Sequence, residues 1–141
     1  VAIYPWTGGP GFENPPGWDD IPGAHGSTPE LEGFARLSRG FADVRVKVFG
    51  LSGQDPAAQK MSAERLDLPF PLLSDSDGRL AATMRLPTFV AGGTTFLKRL
   101  TLVLRDGVIE RTYYPVHPPD THAREVMYLC GATRPGAHLG R

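Results

Sequence analysis

The sequence predicts a three-layer α/β sandwich built on a mixed sheet, and three observations carry that prediction. Short apolar, β-rich runs alternate with helical stretches over much of the chain, the order expected of parallel strands joined by crossover helices. Late in the chain two β-rich runs flank Asp106-Gly107, a residue pair that turns an antiparallel hairpin. With 141 residues, 40% of them hydrophobic and 21% charged, the chain can bury one core and is read as a single domain over 1–141.

"VAIYP" is the first strand. The chain opens inside it, which leads us to expect further sequence upstream. Residues 7–26, "TGGPGFENPPGWDDIPGAHG", form a Gly- and Pro-rich loop too long for an ordinary connection, and so either functional or mobile. Ser27-Thr28-Pro29-Glu30 reads as a helix start. Ser27 stands at the N-cap, Glu30 three residues on as in a capping box, and Pro29 sits in the first turn. The helix continues to about Gly40, with Leu31, Phe34, Ala35 and Leu37 at roughly helical spacing. Val44 to Ser52, "VRVKVFGLS", is read as a strand, and Asp55-Pro56 opens a second helix. "FPLLSD" is a strand, and "DGRLAATMRL" a short helix stopped before Pro87. After the hairpin, "PPDTHAREVMYLCG" is a closing helix with Asp120 as cap and Gly131 just past its end. Residues 132–141 read as a flexible tail.

This β-α-β-α-β-α-β-β-α order suits a sandwich of thioredoxin type. Its site should lie beyond the carboxyl ends of the parallel strands, at the first loop-to-helix junction. Ser27 is at that junction.

Composition removes several classes of function. Fifteen basic against fifteen acidic residues leave no net charge, so no nucleic-acid partner is expected. No apolar run approaches the ~18 residues of a membrane span, and no export leader is visible. The lone Cys130 cannot form an internal disulfide and points to the cytoplasm. Neither common phosphate-cradling glycine pattern occurs. His117 and His122 are separated by two prolines with no third ligand in register, so they are read as solvated and no metal is expected. His25 lies near Ser27, yet the nucleophile elbow of serine hydrolases is absent. Arg99 enters an apolar strand, either held at the sheet end or facing water. Tyr4, Trp6 and Trp18 either wall a pocket or pack the long loop down.

The segments "IYPWTG", "PGWDDIPGAHGSTPE", "VFGLSGQD", "LPFPLLSD", "RLPTF", "LKRLTLVLRDG" and "YYPVHPP", in this order, resemble the peroxiredoxins, in particular the peroxiredoxin Q or bacterioferritin comigratory protein type. The resemblance covers nearly the whole chain. It implies a thiol-dependent peroxidase reducing hydrogen peroxide and organic hydroperoxides, with electrons from thioredoxin or another thiol. It implies no cofactor, and a monomer or homodimer. In the family the first helix begins at Gly-Cys-Thr-Pro, whose cysteine attacks the peroxide; here the element is Gly26-Ser27-Thr28-Pro29. Ser27 thus takes the peroxidatic position, and Arg99 matches the family's active-site arginine.

The departures are specific. The family's P-x-x-x-T-x-x-C pattern would place proline at 20 and threonine at 24, where Asp20 and Ala24 stand. Pro5 and Thr7, before the long loop, could fold back into those roles, and Thr28 joins them as a candidate site residue. Where some relatives carry a resolving cysteine, this chain has Glu32. Cys130 is the only thiol left as a resolving candidate. Its Cα would need to come within about 7 Å of that of residue 27, so an external thiol is the favoured reductant. A free thiol of pKa about 8.5 is only about 3% thiolate at pH 7. Lowering it to about 6, as a helix N-terminus and an arginine can, makes it about 90% ionised. A serine hydroxyl neither ionises usefully nor cycles through a sulfenic acid. Ser27 is therefore read as standing in for a cysteine. The alternative is a naturally redox-inactive module that binds or senses, and the coding sequence at position 27 separates the two.

Overall fold

A computed structural model describes residues 1–9 and 12–132. In chain order its elements are β1 (Ala2–Ile3), α1 (Ser27–Arg36), α2 (Ser38–Asp43), β2 (Gly50–Ser52), α3 (Pro56–Arg65), β3 (Leu72–Ser74), α4 (Arg79–Met84), β4 (Thr88–Ala91), β5 (Thr94–Leu97), β6 (Leu100–Arg105), β7 (Val108–Tyr113) and α5 (His122–Ala132). The main sheet has the order β3-β2-β1-β6-β7. Strands β1, β2 and β3 are parallel, while β6 pairs antiparallel with both β1 and β7. The mixed sheet, with parallel strands and a late antiparallel hairpin, agrees with the sequence reading.

Alternation along the strands sorts the core into two faces. Ala2 and Tyr4 join Leu31 and Phe34 of α1, Phe41 of α2, and Ala123 and Val126 of α5 on one face. Ile3, Leu51, Leu100 and Leu102 turn to the other face, where Leu80 and Met84 of α4 cover them. The layers are therefore helix, sheet and helix.

Local chemistry sets the element ends. The Asp55 carboxylate accepts from the Ala58 amide at 2.7 Å, with Pro56 in the first turn, so α3 starts where the sequence placed it. Asp75 accepts from the amides of Leu80 and Ala81, both at 2.9 Å, and holds the start of α4. Asp106 and Gly107 both take left-handed backbone (φ 52° and 79°), as a tight hairpin turn requires.

Four points of that reading are corrected. The first helix ends at Arg36, and a separate helix α2 runs to Asp43, burying Phe41 against Phe34 with ring centroids 5.6 Å apart. The predicted strand over 44–52 is paired only from Gly50. Arg45 is left-handed (φ 60°) and interrupts the extended chain, while the Val46 amide donates to the Phe41 carbonyl at 2.9 Å and the side chains of Val46 and Val48 pack on the first core. Between Pro87 and Arg99 lies a ribbon of β4 and β5 that the sequence reading did not include. The closing helix begins at His122, two residues after the expected Asp120 cap, and runs through Gly131. The tail expected over 132–141 falls outside the described residues, except that Ala132 closes α5.

Candidate active site

The site gathers where the sheet topology places it, beyond the carboxyl ends of β1 and β2 and at the start of α1. Helix α1 is capped by backbone alone: Gly26, not Ser27, is the N-cap, and no side chain caps the helix. The capping-box expectation fails because both of its side chains turn inward. Ser27 is the first helical residue and is buried, and Glu30 is fully buried. Gly26 has φ 105°, and a Cβ there would stand 2.5 Å from Cγ of Pro119, so only glycine fits.

Arg99 precedes β6 and is 4% exposed, which sets aside the water-facing alternative. Its Nη2 donates to the carbonyls of Gly23 (3.3 Å), Ala24 (3.3 Å) and His25 (3.0 Å), and to the Ser27 hydroxyl oxygen at 3.1 Å. The last turn of the long loop thus wraps one guanidinium nitrogen and aims it at residue 27. On the other side Nη1 lies 3.6 Å from Oε1 of Glu30, an ion pair longer than a hydrogen bond. Burial pushes the Glu30 carboxyl up to about 7 against the pull of Arg99, and burial likewise lowers the Arg99 value against the pull of Glu30. Desolvation outweighs attraction for both partners.

Thr7 does fold back. Its hydroxyl lies 2.7 Å from that of Thr28 and accepts from Nη2 of Arg65 at 3.2 Å. Gln54 clamps the Thr7 backbone on both sides, accepting from its amide at 3.1 Å and donating to its carbonyl at 2.9 Å. Thr7, Ser27 and Thr28 share a cleft of about 160 Å³ with Trp6, Phe12 and Trp18. Trp18, in a single 3₁₀ turn, is buried against Trp6, Phe89 and Phe96 at centroid distances of 5.8, 5.5 and 5.0 Å. The ribbon of β4 and β5 is therefore the seat of the long loop. Trp6 and Trp18 both pack the loop and wall the cleft, whereas Tyr4 is a core residue whose hydroxyl donates to Gln59 at 2.8 Å.

Cys130 is not brought to this site. It lies on α5 beside Arg105, Glu110 and Arg111, at the far end of β6 from Arg99. Six residues of strand separate those ends, about 20 Å at the usual rise. Burial pushes its thiol above the ordinary range.

His117 is exposed, but His122 is not solvated as expected: it is buried, with Nε2 2.9 Å from the Thr101 hydroxyl and its ring edge-on to Tyr113 and Phe34. Among the described residues no group of three or more His, Cys, Asp or Glu could hold a metal, and no helix is long and apolar enough to cross a membrane. Glu30, Gln54 and Arg65 are site residues that the sequence reading missed. For Glu30 a signal existed, since 27, 30, 31 and 34 form one helical stripe.

A mixed sheet whose first crossover helix starts under a buried arginine defines a thioredoxin-like class of fold, and the family model for "AhpC/TSA family" matches residues 22–112: the chain belongs to that family. Within it the chain is of the peroxiredoxin Q and bacterioferritin comigratory protein type. It is 31% identical over 112 residues to chloroplastic peroxiredoxin Q of Populus jackii, covering 79% of this chain and 50% of that protein. The chain spans about half the length of the curated relatives it matches. Peroxidoxin BcpB of Mycobacterium tuberculosis superposes with a TM-score of 0.73 at 26% identity, over 94% of this chain and 77% of that one. The bacterioferritin comigratory protein of Xanthomonas campestris superposes with a TM-score of 0.71 over 93% of this chain and 76% of that one; at 22% identity it speaks for the fold alone.

Proposed function

We propose that this chain carries the scaffold of a thiol-dependent peroxidase, with residue 27 as the position of the attacking thiol. The observation that supports this most directly is the Arg99 Nη2 contact to the Ser27 side chain, 3.1 Å, at the N-terminus of α1. A cysteine there would have its thiolate favoured by the guanidinium and the helix end. The thiolate sulfur attacks the terminal oxygen of a hydroperoxide. The S–O bond forms as the O–O bond breaks, and the electron pair passes to the leaving oxygen. The peroxide hydrogen follows it, giving a sulfenate and an alcohol, or water from hydrogen peroxide. Arg99 stabilises the charge that spreads over these oxygens. Two external thiols, from thioredoxin or another reductant, then return the protonated sulfenic acid to the thiol, releasing water and a disulfide.

The aromatic wall of Trp6, Phe12 and Trp18 suits the hydrocarbon part of an organic hydroperoxide. The lone Cys130 supports a cytoplasmic setting, testable by fractionation, and we take the working state as monomer or homodimer, testable by sedimentation.

With serine at 27 the chain should not turn over, whereas Ser27→Cys should be oxidised to a sulfenic acid by hydrogen peroxide, read by stopped-flow fluorescence and mass spectrometry. No sulfenic acid in that variant refutes the peroxidase reading. Ser27 itself favours the second reading, a redox-inactive binding or sensing module, which a serine codon in the native gene would support.

A further inference from the structure

Gly26, Gly33 and Gly40 receive the segment that carries α5. A Cβ at Gly26 would stand 2.5 Å from Cγ of Pro119, and one at Gly33 would stand 3.2 Å from the Asp120 carbonyl oxygen and 3.7 Å from Cβ of Ala123. Gly40, in α2, lies under the Met127 sulfur. Helix α5 therefore docks on α1 and α2 with little between the backbones, and Val126 closes the seam against the cluster of Phe34 and Phe41. At the head of this seam sits a ring that can take up a charge: buried His122, the first residue of α5.

The neighbours of that ring suit its neutral form. Nε2 lies 2.9 Å from the Thr101 hydroxyl, which can donate or accept and so serves a neutral tautomer. The rings of Phe34 and Tyr113 stand edge-on to it, with centroids 6.1 and 5.2 Å away. The first turn of a helix presents unpaired amides and the positive end of its dipole, which disfavour a cation. Arg99, at the entry of β6, adds positive charge nearby. Glu125 pulls the other way, but its Oε2 is 3.7 Å from Nδ1 and its side chain is 60% exposed, so the pair is weak. Burial prevails and holds the imidazole below its ordinary 6.5. The Tyr113 phenol, raised by burial, stays neutral over the same range.

We propose that α5 is an acid-released clasp: protonation of His122 undocks the segment from Pro119 onward and takes the buttress from the start of α1 at position 27. This goes beyond the peroxidase reading and does not depend on it. The sign follows from the ring. Docked, it is held neutral; released, it takes a proton at the ordinary 6.5. The contribution to docking is fully present above 6.5 and is lost as pH falls toward the lowered docked value. A free imidazole is only about 3% neutral at pH 5, so the released state can gain up to about 30-fold between pH 7.5 and pH 5.

Hydrogen exchange of the full chain, followed by mass spectrometry at pH 7.5 and pH 5 and corrected for the intrinsic effect of pH, tests this. Peptides covering α5 and residues 27–34 should lose protection by about 10- to 30-fold at the lower pH, while those of α3 and β3 change by less than about threefold. His122→Gln can still meet the Thr101 hydroxyl but does not titrate; its α5 protection should be the same at both pH values within about twofold. Glu30 titrates alike in both proteins, so it cancels in the comparison. Should His122→Gln not fold, His122→Phe, which keeps a ring against Phe34 and Tyr113, takes its place. Protection of α5 that does not change with pH in the parent overturns the clasp. So does a loss spread evenly over α3 and β3, which marks global unfolding, or an equal loss in the variant, which assigns the effect to another group.

Discussion

Replacing Glu30 with glutamine should flatten the fall of stability that the buried carboxyl imposes on the protein between mildly acid and mildly basic pH. In the folded protein burial raises this carboxyl from its ordinary 4.5 to about 7, with Arg99 pulling the other way. A carboxyl raised on folding holds a proton that the unfolded chain releases. Its contribution is therefore fully present below 4.5 and lost as pH rises through about 7. Each pH unit across that window is worth about 1.4 kcal/mol, so the loss amounts to about 3 kcal/mol. The other groups facing Glu30 do not blur the reading. Arg99 stays charged throughout, and the Tyr4 phenol, pushed up to about 12 chiefly by burial, stays neutral. His122 works in the opposite sense: burial lowers its value, so its contribution is present at neutral pH and lost as pH falls. It is common to both proteins and cancels in their difference. Urea unfolding of the parent and Glu30→Gln from pH 5 to pH 8 measures that difference directly. The variant should gain on the parent by about 3 kcal/mol across the series. A gap constant to within about 0.5 kcal/mol, the ordinary scatter of independent effects, would refute the assignment of Glu30 as a carboxyl protonated by burial.

In the Ser27→Cys protein, Arg99→Ala should raise the thiol pKa and slow peroxide attack by about 10²-fold, the usual loss for one electrostatic donor; the pH dependence of alkylation and stopped-flow oxidation report the two effects, and unchanged rates would return Arg99 to a structural role. Peroxide treatment of Ser27→Cys followed by non-reducing peptide mapping should yield no disulfide between positions 27 and 130, because β6 holds their surroundings apart; that disulfide in high yield would overturn the external-thiol mechanism.

Features written in adjacent residues were legible in the sequence, and features assembled through space were not. Asp55-Pro56 and Asp106-Gly107 each specify their backbone locally, and both sit where the sequence put them. The junction at residue 27 followed from the order of elements. Its capping did not, because the same four residues that spell a capping box also place Ser27 and Glu30 on the inward stripe of α1, and burial against Arg99 prevailed. His122 was misread for a like reason: next to prolines it looks solvated, while its spacing to Val126 marks the buried face of α5. The β4 and β5 ribbon carried a turn signal in Gly92-Gly93, both left-handed, but the strands on either side are mostly exposed or half-exposed and show little apolar alternation. Nothing local announces that Gln54 and Arg65 meet Thr7, since partners 47 and 58 residues apart are joined only by the fold.

The close approach of Pro119 to Gly26, and of the Asp120 carbonyl to Gly33, has a consequence for how the molecule is made. Both contacts press the segment leading into α5 onto α1, whose first residue is position 27. During synthesis the helix and its wrapping loop emerge early and Arg99 much later, but the wedge that seats the helix start emerges only with residues 119 and 120. Until then a thiol at position 27 would face solvent without its arginine or its buttress. The start of α1 is thus fully seated only once the segment leading into α5 is in place, so the surroundings of position 27 are completed by residues made long after it.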